Sequence, residues 1–489
     1  MGNAAQTMAY RDFSGGETGI FSYAAMPSKY SMLLQNLYIS ERKTVKKVPG
    51  YEKVNSAVGG SAGVNLWTGF EFIKNDGTSI KLVSGGGKIF KITGDTLTPI
   101  ETGLDNGEKV YFSSMNDLCI MTNGIPADGP MKYDGVTVSA LGGTPPTTTF
   151  KTHVHKGRVW CIERNNVMLA TCSSLNNPEQ YTGGTSGYID FKYILKKGDV
   201  LMDMATYIDL HVFIFKEHIA IYSGTTPTGL AADYQLVQLI EGVGGVATGC
   251  CIGMGSYFGV LYKSGLKSLK QVITTGALSV GDISDPIDPA LRTQIAANPA
   301  GFYSMAHYPK LGLILMVTGD ITWIYSYIWK AWSRMPSTAI QFVFVTQDGT
   351  AYFCGNNYVY KWNETLGTFD GANIPTVWKT AWLQMSRNGI FVYPKVGELG
   401  IFSDTKPITF TLNQWTDASV AVVGSATGTL LSGVTDFDSL SPLVEDVHDS
   451  IRFPMFGRGR KMLMQIENTS DIPGFELCEL VIQSVQGGF

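Results

Sequence analysis

His153 and His155 form the pattern in this chain that most resembles a metal site. They stand at alternate positions of a stretch that favours a β-strand, so both imidazoles should project from the same face. A zinc site needs three or four ligands, and no cysteine or histidine lies close enough in the sequence to complete the set. Two histidines packed on one strand face are the better interpretation, and we predict no metal and no cofactor.

Three aspartates, Asp282, Asp285 and Asp288, resemble a calcium-loop spacing only superficially, because the glycine and the terminal glutamate of such a loop are absent. Helix capping and local turns explain them better. The chain also lacks GxSxG, Walker A, HExxH and dinucleotide-binding glycine patterns. Paired carboxylates for glycoside hydrolysis have no sequence signature, because the fold sets their separation, and nothing in the sequence points to them. We predict that the protein is not an enzyme.

Two clusters of basic residues are the remaining candidates for a binding surface. They consist of Arg42, Lys43, Lys46 and Lys47 in one stretch and of Arg458, Arg460 and Lys461 in the other. Solvated cations that keep strand edges apart account for both clusters. The alternative is contact with phosphate or with another protein, and we take these residues as candidate assembly contacts. The net charge of −4 gives no electrostatic reason to expect nucleic-acid binding by the whole surface.

The cysteines and the N-terminus bear on where the chain folds. Seven cysteines are an odd number, widely spread and without CxxC spacing, so reduced buried thiols are favoured over a disulfide framework. The N-terminus has neither the basic nor the apolar segment of a secretory signal, and no apolar run long enough to span a membrane follows. We expect folding in a cytosol and no membrane insertion by this chain.

The elements that must position these residues are short strands. Residues 341–371 contain three apolar runs separated by Asp348-Gly349 and by Gly355-Asn356-Asn357. Asp-Gly and Asn-rich pairs tolerate the positive φ of tight hairpin turns, and the Tyr, Phe, Val and Trp of the runs suit a pleated, half-buried surface. Charged residues make up only 16% of the chain, which also favours strands and turns over helices. This stretch predicts most of one propeller blade in an all-β protein.

Similar hairpins recur along the chain with a mean step of about 45 residues, which is the spacing of propeller blades. We count about seven units, although irregular steps leave six or eight open. Stacked β-sandwiches would also use many short strands, but one hairpin pattern persists, and a closed ring protects strand edges that sandwiches expose. The dipeptide Asp288-Pro289 predicts a single short helix among the strands.

Composition and pattern divide the chain into three parts. Residues 1–35 are polar and weakly patterned, which predicts an extended N-terminal arm that needs a partner surface to become ordered. Residues 36–375 should form the β-propeller. Residues 376–489, with longer strands and polar loops, predict a C-terminal β-sandwich-like domain.

Several short motifs follow one another in a recognisable order. They are Asp12-Phe13-Ser14-Gly15-Gly16, Asn36-Leu37-Tyr38, Lys47-Val48-Pro49-Gly50-Tyr51, Ile283-Ser284, Ile324-Tyr325, Ala331-Trp332, Tyr358-Val359-Tyr360 and Phe369-Asp370-Gly371. Taken in order, they resemble the tail hub, or nozzle, proteins of short-tailed bacteriophages, also called packaged-DNA stabilisation proteins. That family usually has arginine before Pro-Gly where this chain has Lys47-Val48, so an arginine contact does not carry over.

The resemblance implies a β-propeller that assembles as a hexameric ring below the portal and adaptor proteins, and it transfers no catalytic residue. We therefore expect a structural protein of the virion tail, in which six copies form the tube that retains packaged double-stranded DNA and conducts it during genome ejection. Its neighbours would be portal or adaptor proteins on one side and a tail fibre, spike or needle protein on the other. It would be assembled in the bacterial host cytoplasm.

The alternative is a carbohydrate-binding or glycan-cleaving propeller that acts as a receptor-binding tail component. An acidic pair beside exposed tryptophans at the propeller mouth would favour this alternative.

Overall fold

The computed structural model describes residues 5–486 except for residues 23–24, 57–63, 196–197, 230–231, 255–256, 272–277, 299–300, 302, 338, 386–390, 404–406, 420 and 431–448. The described residues form short strands almost throughout, with a single α-helix among them. The all-β class predicted from the sequence is therefore confirmed.

The first strands of the chain divide between the two domains. They are β1 (Ala5–Tyr10), β2 (Gly16–Glu17), β3 (Tyr30–Gln35), β4 (Leu37–Ile39), β5 (Val45–Lys47) and β6 (Gly50–Lys53). β1 pairs antiparallel with the last strand of the chain, and β3 pairs with a strand that follows the propeller. Phe13 is 3% exposed and packs edge-on against Trp378, with ring centroids 4.8 Å apart. The surface that residues 1–35 were expected to need is thus supplied, for the described part of that segment, by the same chain.

In the described residues, five separate four-stranded antiparallel sheets and two four-stranded antiparallel parts of a larger sheet form the seven blades of a propeller. Blade 1 contains β7 (Leu66–Ile73), β8 (Ser79–Gly85), β9 (Lys88–Thr93) and β10 (Thr96–Thr102); blade 2 contains β11 (Tyr111–Met115), β12 (Leu118–Thr122), β13 (Met131–Tyr133) and β14 (Val138–Ala140); blade 3 contains β15 (Thr149–His155), β16 (Arg158–Glu163), β17 (Leu169–Cys172) and β18 (Gly187–Asp190). Blade 4 contains β19 (Leu201–Tyr207), β20 (Leu210–Phe215), β21 (His218–Ser223) and β22 (Gln235–Glu241); blade 5 contains β23 (Cys251–Met254), β24 (Tyr257–Tyr262), β25 (Gly265–Gln271) and β26 (Leu278–Asp282). After helix α1 (Asp288–Ala297), blade 6 contains β27 (Tyr303–Tyr308), β28 (Leu313–Thr318), β29 (Ile321–Ser326) and β30 (Ala331–Pro336); blade 7 contains β31 (Ile340–Val345), β32 (Ala351–Gly355), β33 (Val359–Asn363) and the N-terminal strand β6.

The blades close into a ring in two ways. The first strand of each blade contacts the first strand of the next, and β31 of blade 7 contacts β7 of blade 1. β6 supplies the outer strand of blade 7, with Tyr51 opposite Trp362 and Lys53 opposite Tyr360. Tyr51 also stacks on Phe369 at 4.4 Å. The predicted seven-bladed propeller is therefore confirmed, and its last blade is completed from the start of the chain.

Two local predictions are also confirmed. Gly349 has φ of +80° in the turn that joins β31 to β32, as the Asp-Gly pair predicts. Helix α1 begins at Asp288 with Pro289 in its first turn. The Asp288 carboxylate does not cap this helix, however; it accepts hydrogen bonds from the Ser284 hydroxyl and from Arg292.

The C-terminal domain is a β-sandwich, as predicted. Its remaining strands are β34 (Thr368–Phe369), β35 (Ala372–Thr380), β36 (Leu383–Gln384), β37 (Val392–Phe402), β38 (Ile408–Thr416), β39 (Gly424–Leu430), β40 (Asp449–Pro454), β41 (Lys461–Ser470) and β42 (Glu476–Gln486). One layer consists of β1, β4, β5, β37, β40 and β42, and the other is built mainly from β3, β35, β38, β39 and β41. The buried side chains of both layers share one core, which includes Phe410, Ile466 and Leu480. Strands β4 and β5 belong to this sandwich, although the sequence boundary places them in the propeller.

Candidate functional site

Lys47, predicted as a surface contact, is a buried structural residue. Its side chain is 1% exposed, and its ammonium donates to the carbonyl oxygens of Gly367, Ser470 and Ile472 at 3.1, 2.7 and 2.8 Å. These carbonyls belong to the loop after β33, to the last residue of β41 and to the loop that follows β41. The propeller meets the sandwich here. Burial lowers the pKa of Lys47 to about 8. Lys47 therefore joins the domains and cannot serve as an assembly contact, which corrects the prediction made from its basic neighbours.

The other basic residues near the N-terminus form the proximal cluster, which consists of Arg42 and Lys43 on the β4–β5 turn and Lys46 in β5. The Lys43 ammonium lies 4.7 Å from the centre of the Trp329 ring, and the Arg42 guanidinium lies 5.9 Å from that of Phe402. Arg42 and Lys46 line a groove of about 690 Å³ between propeller and sandwich, together with Glu364 and Glu476. The groove therefore carries both signs of charge.

The second set of predicted residues forms the distal cluster, in which Arg458 and Arg460 pack on Phe391. Their guanidinium carbons lie 5.1 and 4.6 Å from the centre of that ring. Both arginines are exposed, and Phe456 beside them is 39% exposed. The Asp417 carboxylate accepts the backbone N–H of Arg460 at 2.7 Å and of Lys461 at 3.2 Å, which fixes the loop before β41. This surface combines fixed cations with an apolar ring.

The structure does not bring the two clusters together. Phe402 ends β37, whereas Phe391 immediately precedes its first residue, Val392. A β-strand rises about 3.3 Å per residue, and β37 has 11 residues. The two clusters therefore lie roughly 35 Å apart, at opposite ends of the sandwich.

The paired histidines have a third partner that sequence reasoning missed. His211 of blade 4 stacks on His155, with ring centroids 4.5 Å apart, and lies 5.6 Å from His153. The Thr206 hydroxyl is within hydrogen-bonding distance of His153 and His155, at 2.8 and 2.9 Å. The contact crosses between neighbouring blades, so no local spacing could reveal it.

Burial keeps the imidazoles of the histidine cluster neutral. Burial lowers the pKa of His153 to about 3 and that of His155 to about 4, and it also holds the pKa of His211 well below its usual range. Within the described residues, no group of three or more His, Cys, Asp or Glu side chains has a geometry that could hold a metal ion. The three rings are packed as neutral aromatic groups.

Asp282, Asp285 and Asp288 have different surroundings in the structure. Asp282 pairs with Lys267, and Asp288 pairs with Arg292 of its own helix at 2.9 Å. Burial, together with the charges of Asp282 and Asp288, raises the pKa of Asp285. These side chains do not converge on a calcium site.

A buried ion pair near the propeller axis also escaped sequence analysis. The fully buried Asp203 carboxylate accepts from the Lys151 ammonium, from the Gly249 N–H at 2.7 Å and from the Met204 N–H at 2.7 Å. The Cys251 thiol lies 3.6 Å from the same carboxylate, and burial raises its pKa well above the usual value. A thiol in that state is a poor nucleophile. All seven cysteines are free and are buried or half-buried.

Comparisons with known proteins identify no family for this chain. No protein-family model and no curated protein matches it. Solved structures similar to this chain at low sequence identity include the following three. The WD40 propeller domain of Doa1 is 11% identical, with 64% of this chain and 96% of that chain covered and a TM-score of 0.41. Streptogramin B lyase is 13% identical, with 64% and 97% covered and a TM-score of 0.43. The extracellular domain of a one-component system from B. thetaiotaomicron is 10% identical, with 83% and 48% covered and a TM-score of 0.45.

The propeller assignment rests on the strand pairing of the chain itself. In the described residues, no helix is both long and apolar enough to cross a membrane. The nine tryptophans are all described, and each is buried or half-buried, so the exposed tryptophans that would favour a glycan-binding mouth are not present.

Proposed function

We propose that this chain is a structural protein of a bacteriophage tail, in which six copies form the hub or nozzle ring. The observation that supports this proposal is the placement of the proximal and distal clusters at opposite ends of β37. A subunit within a stack needs one contact surface toward each neighbour. Arginine beside an aromatic ring is the composition that protein–protein contacts favour over free surface.

The role of such a subunit is mechanical. β6 ties the start of the chain into blade 7, β1 and β3 pair with sandwich strands, and Lys47 bonds the loops between the domains. The chain therefore passes from the sandwich into the propeller before β6 and returns to the sandwich after blade 7. These two connections and the Lys47 hydrogen bonds hold the two domains together. A rigid subunit of this kind suits a tube that holds double-stranded DNA below a portal or adaptor and above a fibre, spike or needle protein.

The proposal is tested by the mass of the assembly. Native mass spectrometry of the purified chain, alone and co-expressed with portal and adaptor proteins, should show a species of six 53.1 kDa chains in at least one condition. The double variant Arg458→Glu/Arg460→Glu should lower the yield of the assembly with tail neighbours. Lys192→Glu/Lys361→Glu, which makes the same charge change on exposed blade residues, should not. A monomer in every condition would contradict the proposal.

A further inference from the structure

A cavity among blades 2 to 5 combines an apolar wall with a small group of charges. It measures about 490 Å³, and most of its lining residues lead into, or begin, the first strands of these four blades. Because the first strands contact one another in order around the ring, the segments that start them lie side by side. Pockets for small ligands usually measure about 300–1,000 Å³. We call this cavity the inner cavity.

Apolar side chains form much of its wall. Phe150, Val200, Met202 and Val246 line the inner cavity, and Val200 is 38% exposed. Apolar surface in a concave site favours a ligand that removes it from water. We therefore expect a ligand with an apolar part.

The charges of the lining do not balance. Its described residues include three charged side chains, which are Glu108, Lys109 and Arg164. The Arg164 guanidinium donates to both carboxylate oxygens of Glu108, at 2.7 and 2.6 Å, so these two charges offset each other. Lys109 then gives the lining one positive charge in excess.

Burial makes the charge of Lys109 costly in the empty cavity. It lowers the pKa of Lys109 to about 7, although the neighbouring Glu108 favours the charged form. The other titratable groups nearby add no net charge: burial raises the pKa of Tyr111 to about 12, and Lys151, 5.6 Å from the centre of the Tyr111 ring, pairs with Asp203. Lys109 is therefore mostly neutral at pH 8, and an anion bound beside it would make it take up a proton.

One excess positive charge beside an apolar wall favours a single negative charge attached to an apolar group. A phosphate dianion carries more charge than the lining offsets, and a cation is repelled by Lys109. We propose that the inner cavity binds a small monocarboxylate with an apolar chain or ring, its carboxylate on the Lys109 ammonium and its apolar part against Val200 and Met202.

Isothermal titration calorimetry on the full-length protein tests this proposal. The probes are octanoate, phenylacetate and cinnamate, and the comparison compounds are octanamide, acetate and inorganic phosphate. At least one of the three probes should bind in the micromolar to millimolar range. Octanamide, which lacks the charge, and acetate and phosphate, which lack the apolar part, should bind about tenfold more weakly or worse.

The same titrations report on protons when they are repeated in buffers of different ionisation enthalpy. Because the pKa of Lys109 is about 7 without a ligand, carboxylate binding should take up nearly one proton per ligand at pH 8 and about half a proton at pH 7. Lys109→Met should weaken binding about tenfold or more and abolish the uptake. Lys109→Arg keeps a permanent positive charge, so it should retain binding and lose the uptake.

Val200→Asp places a negative charge on an exposed part of the wall and should also weaken binding. The control variant is Lys192→Met, which makes the same change as Lys109→Met on an exposed blade residue outside the cavity and should leave binding and proton uptake unchanged. Thermal unfolding of each variant shows whether the fold is retained.

Three results would overturn the proposal. They are the absence of binding by every carboxylate probe, equal binding of octanoate and octanamide, and carboxylate binding that survives both Lys109→Met and Val200→Asp. None of these results depends on whether the chain forms a hexamer, so they leave the proposed tail role to its own test.

Discussion

The Lys47 ammonium donates hydrogen bonds to three carbonyl oxygens at the domain junction. Replacing it with methionine keeps much of the side-chain volume but leaves those carbonyls without their donor. A buried acceptor that loses its partner costs about 1–3 kcal/mol, partly offset here because a buried charge is also removed. We expect Lys47→Met to lower the free energy of unfolding by ~2–4 kcal/mol in urea titrations.

Lys46→Met is the matched control for that experiment, because the neighbouring lysine is half-exposed. Substitutions at such positions usually change stability by less than about 0.5 kcal/mol. Equal unfolding midpoints for the two variants would show that the three hydrogen bonds do not hold the junction.

The histidine cluster should make stability depend on pH. The pKa of His155 is lowered to about 4, and those of His153 and His211 are also lowered, so the folded chain keeps all three neutral near pH 5. The unfolded chain, with histidine pKa values near 6.5, binds more protons between about pH 4 and 6.5. Stability from these groups is therefore fully present above about pH 6.5 and is lost as the pH falls toward 4. For His155 alone the difference is on the order of 3 kcal/mol.

His155→Phe keeps the stacking on His211 and removes one titrating group. Its melting temperature should fall less than that of the native chain between pH 7 and pH 4.5. Parallel pH profiles for His155→Phe and the native chain would mean that His155 titrates alike in the folded and unfolded states.

Gly349 lies where an added side chain would meet no neighbour, but the turn requires a positive φ that a side chain disfavours. A Cβ there has no atom within 4 Å, and φ is +80°. Gly349→Val should therefore destabilise blade 7 through backbone strain alone, by about 1 kcal/mol or more. Gly349→Asn should cost less, because asparagine tolerates the left-handed region. Denaturant unfolding compares the two, and an unchanged midpoint for Gly349→Val would contradict the strain argument.

The hairpins could be predicted because their causes are local: turn residues such as Asp348-Gly349 and alternating apolar residues lie within a few positions of each other. The pairing of β6 with β33 could not, because its partners are about 310 residues apart in the chain. Gly50 illustrates the difference. A Cβ there would lie 2.4 Å from the Thr368 carbonyl oxygen, so glycine is required by a contact between distant segments. The burial of Lys47 and the contact of His211 with His155 were hidden for the same reason.

We do not expect the propeller of a single chain to carry DNA. The cavity lined by residues of blades 2 to 5, such as Lys109, Phe150, Met202 and Thr248, is about 490 Å³, which is the size of a small-molecule pocket. In the proposed tail ring, the conduit must therefore lie between subunits, and its surface is supplied by the outer faces of the chain.

A conduit must not hold the duplex that moves through it. Six chains with a net charge of −4 give a ring with a net charge of −24. A protein that neutralises six to ten phosphates binds DNA through strong ionic contacts, which are worth roughly 10³ to 10⁵ in affinity over a modest change in salt concentration. Contacts of that strength would stop the DNA from moving through the ring. We expect the lumen to be neutral or acidic, with the proximal and distal clusters at contacts between proteins.

Fluorescence anisotropy with duplex DNA at physiological salt should show no tight binding by the isolated ring. Arg458→Glu/Arg460→Glu should alter the assembly mass without changing that result. Tight DNA binding by the native ring, abolished by the same double variant, would place the distal cluster in the lumen and contradict this arrangement.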